Sequence, residues 1–160
     1  MKEAIIYAGS FDPVTNGHLD LIQRAARIFP RVIVAVARNL EKRPCFTVAR
    51  RVAFLRESLQ DLSAVEVASF SGLLVDYASR RRIRLLLRGL RAVSDFEYEF
   101  QMALTNRKLH PELETLYLMP GESFSYLSSR VIKEIALLGG DVSPFVPPAV
   151  ARALKRRRPR

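Results

Sequence analysis

Five short apolar runs alternate along the chain with stretches in which apolar residues recur every three or four positions. The runs are Ala4–Ala8, Val32–Ala37, Val65–Phe70, Ile83–Leu87 and Thr115–Met119. The second, VIVAVA, carries no polar alternation, which is the pattern of a strand covered on both faces. Helical periodicities lie between them: from His18 to Phe29, ended by Pro30; from a Thr47 cap to about Leu59; from Leu73 to about Arg82; and from about Asp95 to Lys108. A further one follows Ser128 or Ser129 and closes at Gly139-Gly140. Such alternation specifies an α/β fold, a five-stranded parallel sheet with helices on both faces. Ligands of these sheets bind beyond the carboxyl ends of the strands, where the strand order switches. In the long helix Phe96, Phe100, Ala103 and Leu104 share helical spacing and are expected at the core.

The first run leads into AIIYAGSFDPVTNGH, Ala4 to His18. Gly9 bounds the strand, and Asp12, Pro13, Asn16 and Gly17 mark a tight turn with a helix opening near His18. A helix N-terminus facing a strand end offers unpaired N–H groups and a positive dipole end, a combination that suits phosphate. Gly9 and Gly17 are expected to let the backbone approach a ligand closely. His18 stands at the mouth of this turn.

A chain of 160 residues has room for one substantial domain, here residues 1–154. Formal net charge is +10, and half of it comes from Lys155, Arg156, Arg157, Arg158 and Arg160. With almost no apolar residue among them, residues 155–160 are expected to form a disordered basic tail. A positive balance points to phosphorylated small molecules, nucleic acid or a membrane surface. No apolar run approaches the roughly 18 residues of a membrane span, and the first residues contain no apolar signal run. A single cysteine, Cys45, excludes an internal disulfide and fits a reducing cytoplasm. With two histidines beside it, a protein-only zinc site is not expected, and no metal ligands are assigned.

Neither G-x-G-x-x-G nor G-x-x-x-x-G-K-[ST] occurs, which argues against a dinucleotide dehydrogenase and a P-loop kinase. The remaining candidates are cationic and hydroxylic. Arg88 and Arg91 flank Gly89 at a strand end, where two guanidiniums can grip phosphate oxygens. Lys42 lies in a polar loop after the second strand. In SFSYLSSR, Ser123 to Arg130, hydroxyls precede a helix start suited to the outer phosphates of a nucleotide.

GSFDPVTNGH, with Thr15-Asn16-Gly17-His18, resembles the first signature of the nucleotidyltransferase superfamily carrying a T/H-x-G-H motif. SFSYLSSR resembles its second signature, and RGLRAVSDFEYEFQMALTNR narrows the likeness to the phosphopantetheine adenylyltransferase family. The resemblance runs from about Ala4 to Leu154. It implies a Rossmann-like fold and transfer of AMP from ATP to 4′-phosphopantetheine, giving dephospho-coenzyme A and pyrophosphate, with Mg²⁺ accompanying the ATP. It further implies a cytoplasmic homohexamer that needs neither a membrane nor a specific nucleic acid. By the same resemblance, ATP contacts fall on Ser10, Phe11, His18, Gly89, Leu90, Arg91, Glu99, Phe124, Ser125, Tyr126, Leu127, Ser128, Ser129 and Arg130. The phosphopantetheine side takes Ser10, Lys42, Leu74 and Arg88, and His18 is the implied transition-state stabiliser. Two departures stand out: Ser10 occupies a position where threonine is common, and Arg130 one where the family usually has serine or threonine. Two alternatives remain at this level: another small-molecule nucleotidyltransferase, such as one using nicotinamide mononucleotide, and a basic nucleic-acid-binding module.

Overall fold

A computed structural model describes residues 3–38, 44–91 and 93–157. Among them the chain forms five strands, β1 Ile5–Gly9, β2 Val32–Ala37, β3 Val65–Phe70, β4 Leu85–Gly89 and β5 Glu114–Leu118. Six helices separate or follow them: α1 Asn16–Ile28, α2 Val48–Ser58, α3 Leu74–Arg81, α4 Val93–Leu109, α5 Ser129–Leu137 and α6 Pro148–Lys155. All neighbouring strands are parallel, in the order β3-β2-β1-β4-β5. The chain winds outward from β1 to β3, then restarts on the other side of β1 with β4. The switch point therefore lies between the carboxyl ends of β1 and β4.

The central strand explains the two-faced core. Ile5 and Tyr7 of β1 join Val32, Val34 and Val36 of β2 on one face, packed by α1, α2, α5 and α6. Ile6 and Ala8 alternate to the other face, with Ile33, Ala35 and α3 residues Val75, Tyr77 and Ala78. Burying each such aliphatic side chain contributes about 1.5–3 kcal/mol, so the double-sided burial of β1 and β2 anchors the sheet. Gly89 lets Leu21 of α1 pack against β4, since a Cβ there would lie 2.6 Å from Leu21 Cδ1 and oblige that side chain to shift.

The expected sheet with helices on both faces is present, with three local differences. β4 begins two residues later than its apolar run, because α3 ends in a left-handed Arg82 (φ 54°). The Ile83 N–H then returns to the Ala78 carbonyl and is unavailable to a strand. The aromatic row of α4 does not enter the core: Phe96 and Phe100 are 52% and 51% exposed, stacked on each other at 5.6 Å, and Leu104 is exposed beside them. Helical spacing of apolar residues marks a face without saying what covers it. The basic terminus also starts later than expected. Lys155 still belongs to α6, and Arg157 donates to the Cys45 carbonyl and lies 5.3 Å from the Phe46 ring. Residues 158–160 lie outside the described residues.

Candidate active site

Beyond the carboxyl ends of β1 and β4 opens a cleft of about 550 Å³. One wall comes from β1 and the start of α1. Thr15 caps α1, its hydroxyl accepting the His18 N–H at 3.3 Å. His18 answers from the third helical position, where Nδ1 accepts the Thr15 backbone N–H at 3.0 Å. In the reciprocal cap of this kind the third residue is usually an acid or amide; here an imidazole takes that place. An Nδ1 that accepts from an amide carries no proton, so the neutral ring bears its hydrogen on Nε2. Burial, reinforced by Arg91 and Arg88, lowers the His18 pKa to about 4. At neutral pH His18 is thus a fixed, uncharged donor.

Two aromatic rings hold that imidazole. Phe11 meets it edge-on with centroids 5.1 Å apart, and Tyr7 lies at 6.5 Å. Phe11 takes φ 46°, a left-handed conformation costly for a bulky residue and concentrated at functional sites. Burial raises the Tyr7 pKa to about 12, so its hydroxyl stays protonated. Gly9 and Gly17 both line the cleft, and each is also tightly packed: a Cβ at Gly17 would approach Phe124 Cβ to 3.3 Å, and one at Gly9 the Phe11 ring to 3.2 Å.

The opposite wall is built on β4 and α4. Arg88 forms a two-pronged pair with buried Glu99, Nε to Oε2 at 2.8 Å and Nη2 to Oε1 at 2.6 Å. Its Nη1 donates to the Ala8 carbonyl of β1 at 2.6 Å, tying the strands together at the switch point. Burial works against the Arg88 charge, yet the Glu99 fork more than offsets it and its pKa is raised. Arg91 is held likewise by Asp95, Nε to Oδ2 at 3.0 Å and Nη2 to Oδ1 at 3.2 Å. A third Arg91 contact, Nη1 to the Leu127 carbonyl at 2.8 Å, reaches the segment before α5. There Ser128 caps α5 by accepting the Val131 N–H, and the Ser129 hydroxyl donates to the Pro13 carbonyl.

The cleft therefore gathers Ser10, Phe11, His18, Leu74, Arg88, Gly89, Arg91, Glu99, Phe124, Leu127, Ser128, Ser129 and Arg130. Leu90, Ser125 and Tyr126 lie off its lining: the Leu90 N–H donates to Leu118, the Ser125 hydroxyl to Glu122, and Tyr126 is exposed. Lys42 falls outside the described residues. Sequence reasoning missed Tyr7, Asp95 and Tyr98, which also line the cleft. Asp95 was within reach, because it stands four residues after Arg91, the spacing of a helical ion pair. Tyr7 had no such signal inside an apolar strand.

These features combine two helix starts, three arginines and an uncharged imidazole donor around one opening. Such a set suits holding phosphates and stabilising charge on a phosphoryl group. Residues 6–135 match the cytidylyltransferase-like family. The chain is 55% identical over 152 residues to a phosphopantetheine adenylyltransferase from Alkaliphilus metalliredigens, covering 95% of this chain and 97% of that one. Another from Alkalilimnicola ehrlichii is 56% identical over 159 residues, covering 98% and 91%, and one from Legionella pneumophila strain Lens is 54% identical over 157 residues, covering 98% and 92%. A solved Vibrio parahaemolyticus structure, provisionally assigned as a nicotinate-nucleotide adenylyltransferase, superposes with a TM-score of 0.68 at 19% identity over 97% of this chain and 99% of that one, a likeness of fold. With identity above half over nearly the full length, the chain belongs to the phosphopantetheine adenylyltransferase family of nucleotidyltransferases.

Proposed function

We propose that the protein transfers AMP from MgATP to 4′-phosphopantetheine, releasing pyrophosphate and dephospho-coenzyme A. The observation that carries this reading is the near-full-length identity to relatives named for that activity. The attacking group is a phosphate whose second pKa is about 6, so it is already ionised near neutral pH and needs no general base. The protein's task is alignment for in-line attack and stabilisation of charge on the α-phosphoryl group. Neutral His18 supplies a hydrogen-bond donor for that charge. Arg91, Arg130 and the start of α5 serve the nucleotide phosphates. Lys42 and Arg88 serve the acceptor phosphate, and Leu74 lines the wall its organic arm follows. Three of the five Arg88 N–H groups are engaged among the described residues, and the others remain to receive a phosphate.

Mg²⁺ prefers oxygen ligands and keeps several waters, and nucleotide phosphates supply such ligands. The cleft carboxylates Asp95 and Glu99 are paired with arginines, so the nucleotide phosphates rather than these side chains would hold the ion, which would supply charge neutralisation there. The exposed apolar residues of α4, with Leu116 and Met119 on and beside edge strand β5, suit self-assembly, here a homohexamer. Residence in the cytoplasm fits the single cysteine and, among the described residues, the lack of a helix long and apolar enough to span a membrane.

Pyrophosphate release from MgATP, assayed with 4′-phosphopantetheine, pantetheine and nicotinamide mononucleotide in parallel, tests the reading. We expect robust release with the first and almost none with the others, since pantetheine presents a neutral hydroxyl in place of an ionised phosphate. Preference for nicotinamide mononucleotide would overturn the acceptor assignment. No release with any acceptor would overturn the activity.

A further inference from the structure

Tyr7, in the middle of β1, is only 5% exposed and lines the cleft. Its ring packs on the α1 face of the sheet, edge-on to Phe11 at 5.3 Å and tilted against His18 at 6.5 Å. Its hydroxyl reaches the carboxyl end of β4: a Cβ on Gly89, the last residue of that strand, would lie 3.9 Å from it. The phenol therefore ends at the switch point between β1 and β4. The charges that bear on it are those of Arg88, Arg91 and Glu99.

That hydroxyl has no hydrogen-bond partner among the described residues. Tyr117 differs, since its hydroxyl donates to the Glu99 carbonyl at 2.8 Å. Tyr77 is also unpartnered, but its hydroxyl is sealed in the core on the other face of the sheet, and Tyr77 is not part of the cleft lining. Phenylalanine would supply the same ring packing at position 7. A buried phenol without a partner costs stability that phenylalanine would not, and buried tyrosine hydroxyls usually find one. Here the space in front of the hydroxyl is the cleft itself. Burial keeps the proton on the oxygen, so Tyr7 offers a donor at neutral pH.

We propose that the Tyr7 hydroxyl is a hydrogen-bond donor to the phosphoryl group being transferred, acting beside the His18 imidazole. The proposal rests on the adenylyl-transfer reading above and adds a residue to that site. Its place favours the group shared by both substrates: it lies among His18, which that reading gives to the α-phosphoryl charge, Arg91, given to the nucleotide, and Arg88, given to the acceptor. Towards bound ATP the phenol replaces water on an oxygen already solvated, a near-even exchange, and it gains as charge builds there during attack.

The test is Tyr7→Phe in the full chain, with steady-state kinetics, calorimetric titration of MgATP, a melting curve and the nitrogen-15 titration of His18. The variant keeps the ring and removes a hydroxyl that holds no other described residue, so its melting temperature and the His18 midpoint should match wild type. We expect kcat to fall about tenfold to a hundredfold, with the MgATP Kd and the KM for 4′-phosphopantetheine each within about threefold of wild type. A kcat within about twofold of wild type overturns the proposal, as does a loss confined to the binding constant of one substrate. Failure to fold, a melting temperature lower by more than about 5 °C, or a displaced His18 midpoint would show the hydroxyl acting through the fold, and overturns it too. A wild type that never turns over 4′-phosphopantetheine overturns the functional reading and the proposal with it, whereas normal wild-type turnover with an unimpaired variant overturns the proposal alone.

Discussion

On the β1 wall of the cleft, Thr15 and His18 satisfy each other through the helix cap, and Ser10 and Phe46 are clamped by Arg51 and Asp12. On the β4 wall, Arg88 and Arg91 find their principal partners in the carboxylates Glu99 and Asp95. The difference lies in what an incoming anion can change. A backbone amide cannot leave its place, so the β1 wall is finished before a ligand arrives. The guanidiniums of the β4 wall keep N–H groups beyond those engaged among the described residues, so this wall still has donors open to a phosphate while its ion pairs stay in place. On the proposed function, transition-state stabilisation falls to the finished wall, where no reorganisation is needed at the moment of reaction. On the same reading, capture of the substrates falls to the β4 wall.

The comparison breaks most visibly at His18. Loss of one preorganised donor to developing charge typically costs ~10²–10³ in rate. His18→Ala should therefore lower kcat by about that factor and leave the MgATP Kd within severalfold of wild type, as read by calorimetry. Intact kcat with collapsed ATP binding would make His18 a ground-state ligand and erase the distinction between the walls.

A smaller effect sharpens the other wall. Arg88→Ala removes a proposed phosphate ligand and strands Glu99 as a buried charge. Breaking a buried pair costs 3–5 kcal/mol, and with Arg88 partly exposed we expect about 2–3 kcal/mol of stability in a urea titration. The double change Arg88→Met with Glu99→Leu should restore most of that stability, and use of 4′-phosphopantetheine should stay impaired. A stable Arg88→Ala would show that the pair does not hold the β4 wall.

Much of this was legible in the residues themselves. Val32–Ala37 reads as a doubly covered strand and is one, with the same bounds, because apolar β-branched runs have few other uses. Thr47 and Ser128 cap helices as their positions suggest. Local patterns stop where a partner comes from elsewhere in the chain. Nothing near Arg88 announces that Glu99 and Ala8 take up its fork, and nothing near Arg51 announces that its own takes the carbonyls of Ser10, Ala37 and Phe46. Phe96 and Phe100 show the same limit in reverse, since their spacing looks alike whether a core or another surface covers them. The site's residue types were readable; their pairing needed the fold.

The most direct measurement of the finished wall is a nitrogen-15 NMR titration of the imidazole of His18 in the unliganded protein, with His110→Gln assigning one of the two histidines. Burial lowers the folded pKa to about 4, below the usual value near 6.5. As pH falls, the unfolded chain therefore takes up the proton first, and this group withdraws stability between about pH 6.5 and 4 and none above that window. We predict a neutral ring with hydrogen on Nε2, an unprotonated Nδ1, and a titration midpoint close to 4. A midpoint near 6.5, or a neutral ring protonated on Nδ1, would contradict the account, since His18 would then be neither locked by the Thr15 amide nor ready as an uncharged donor.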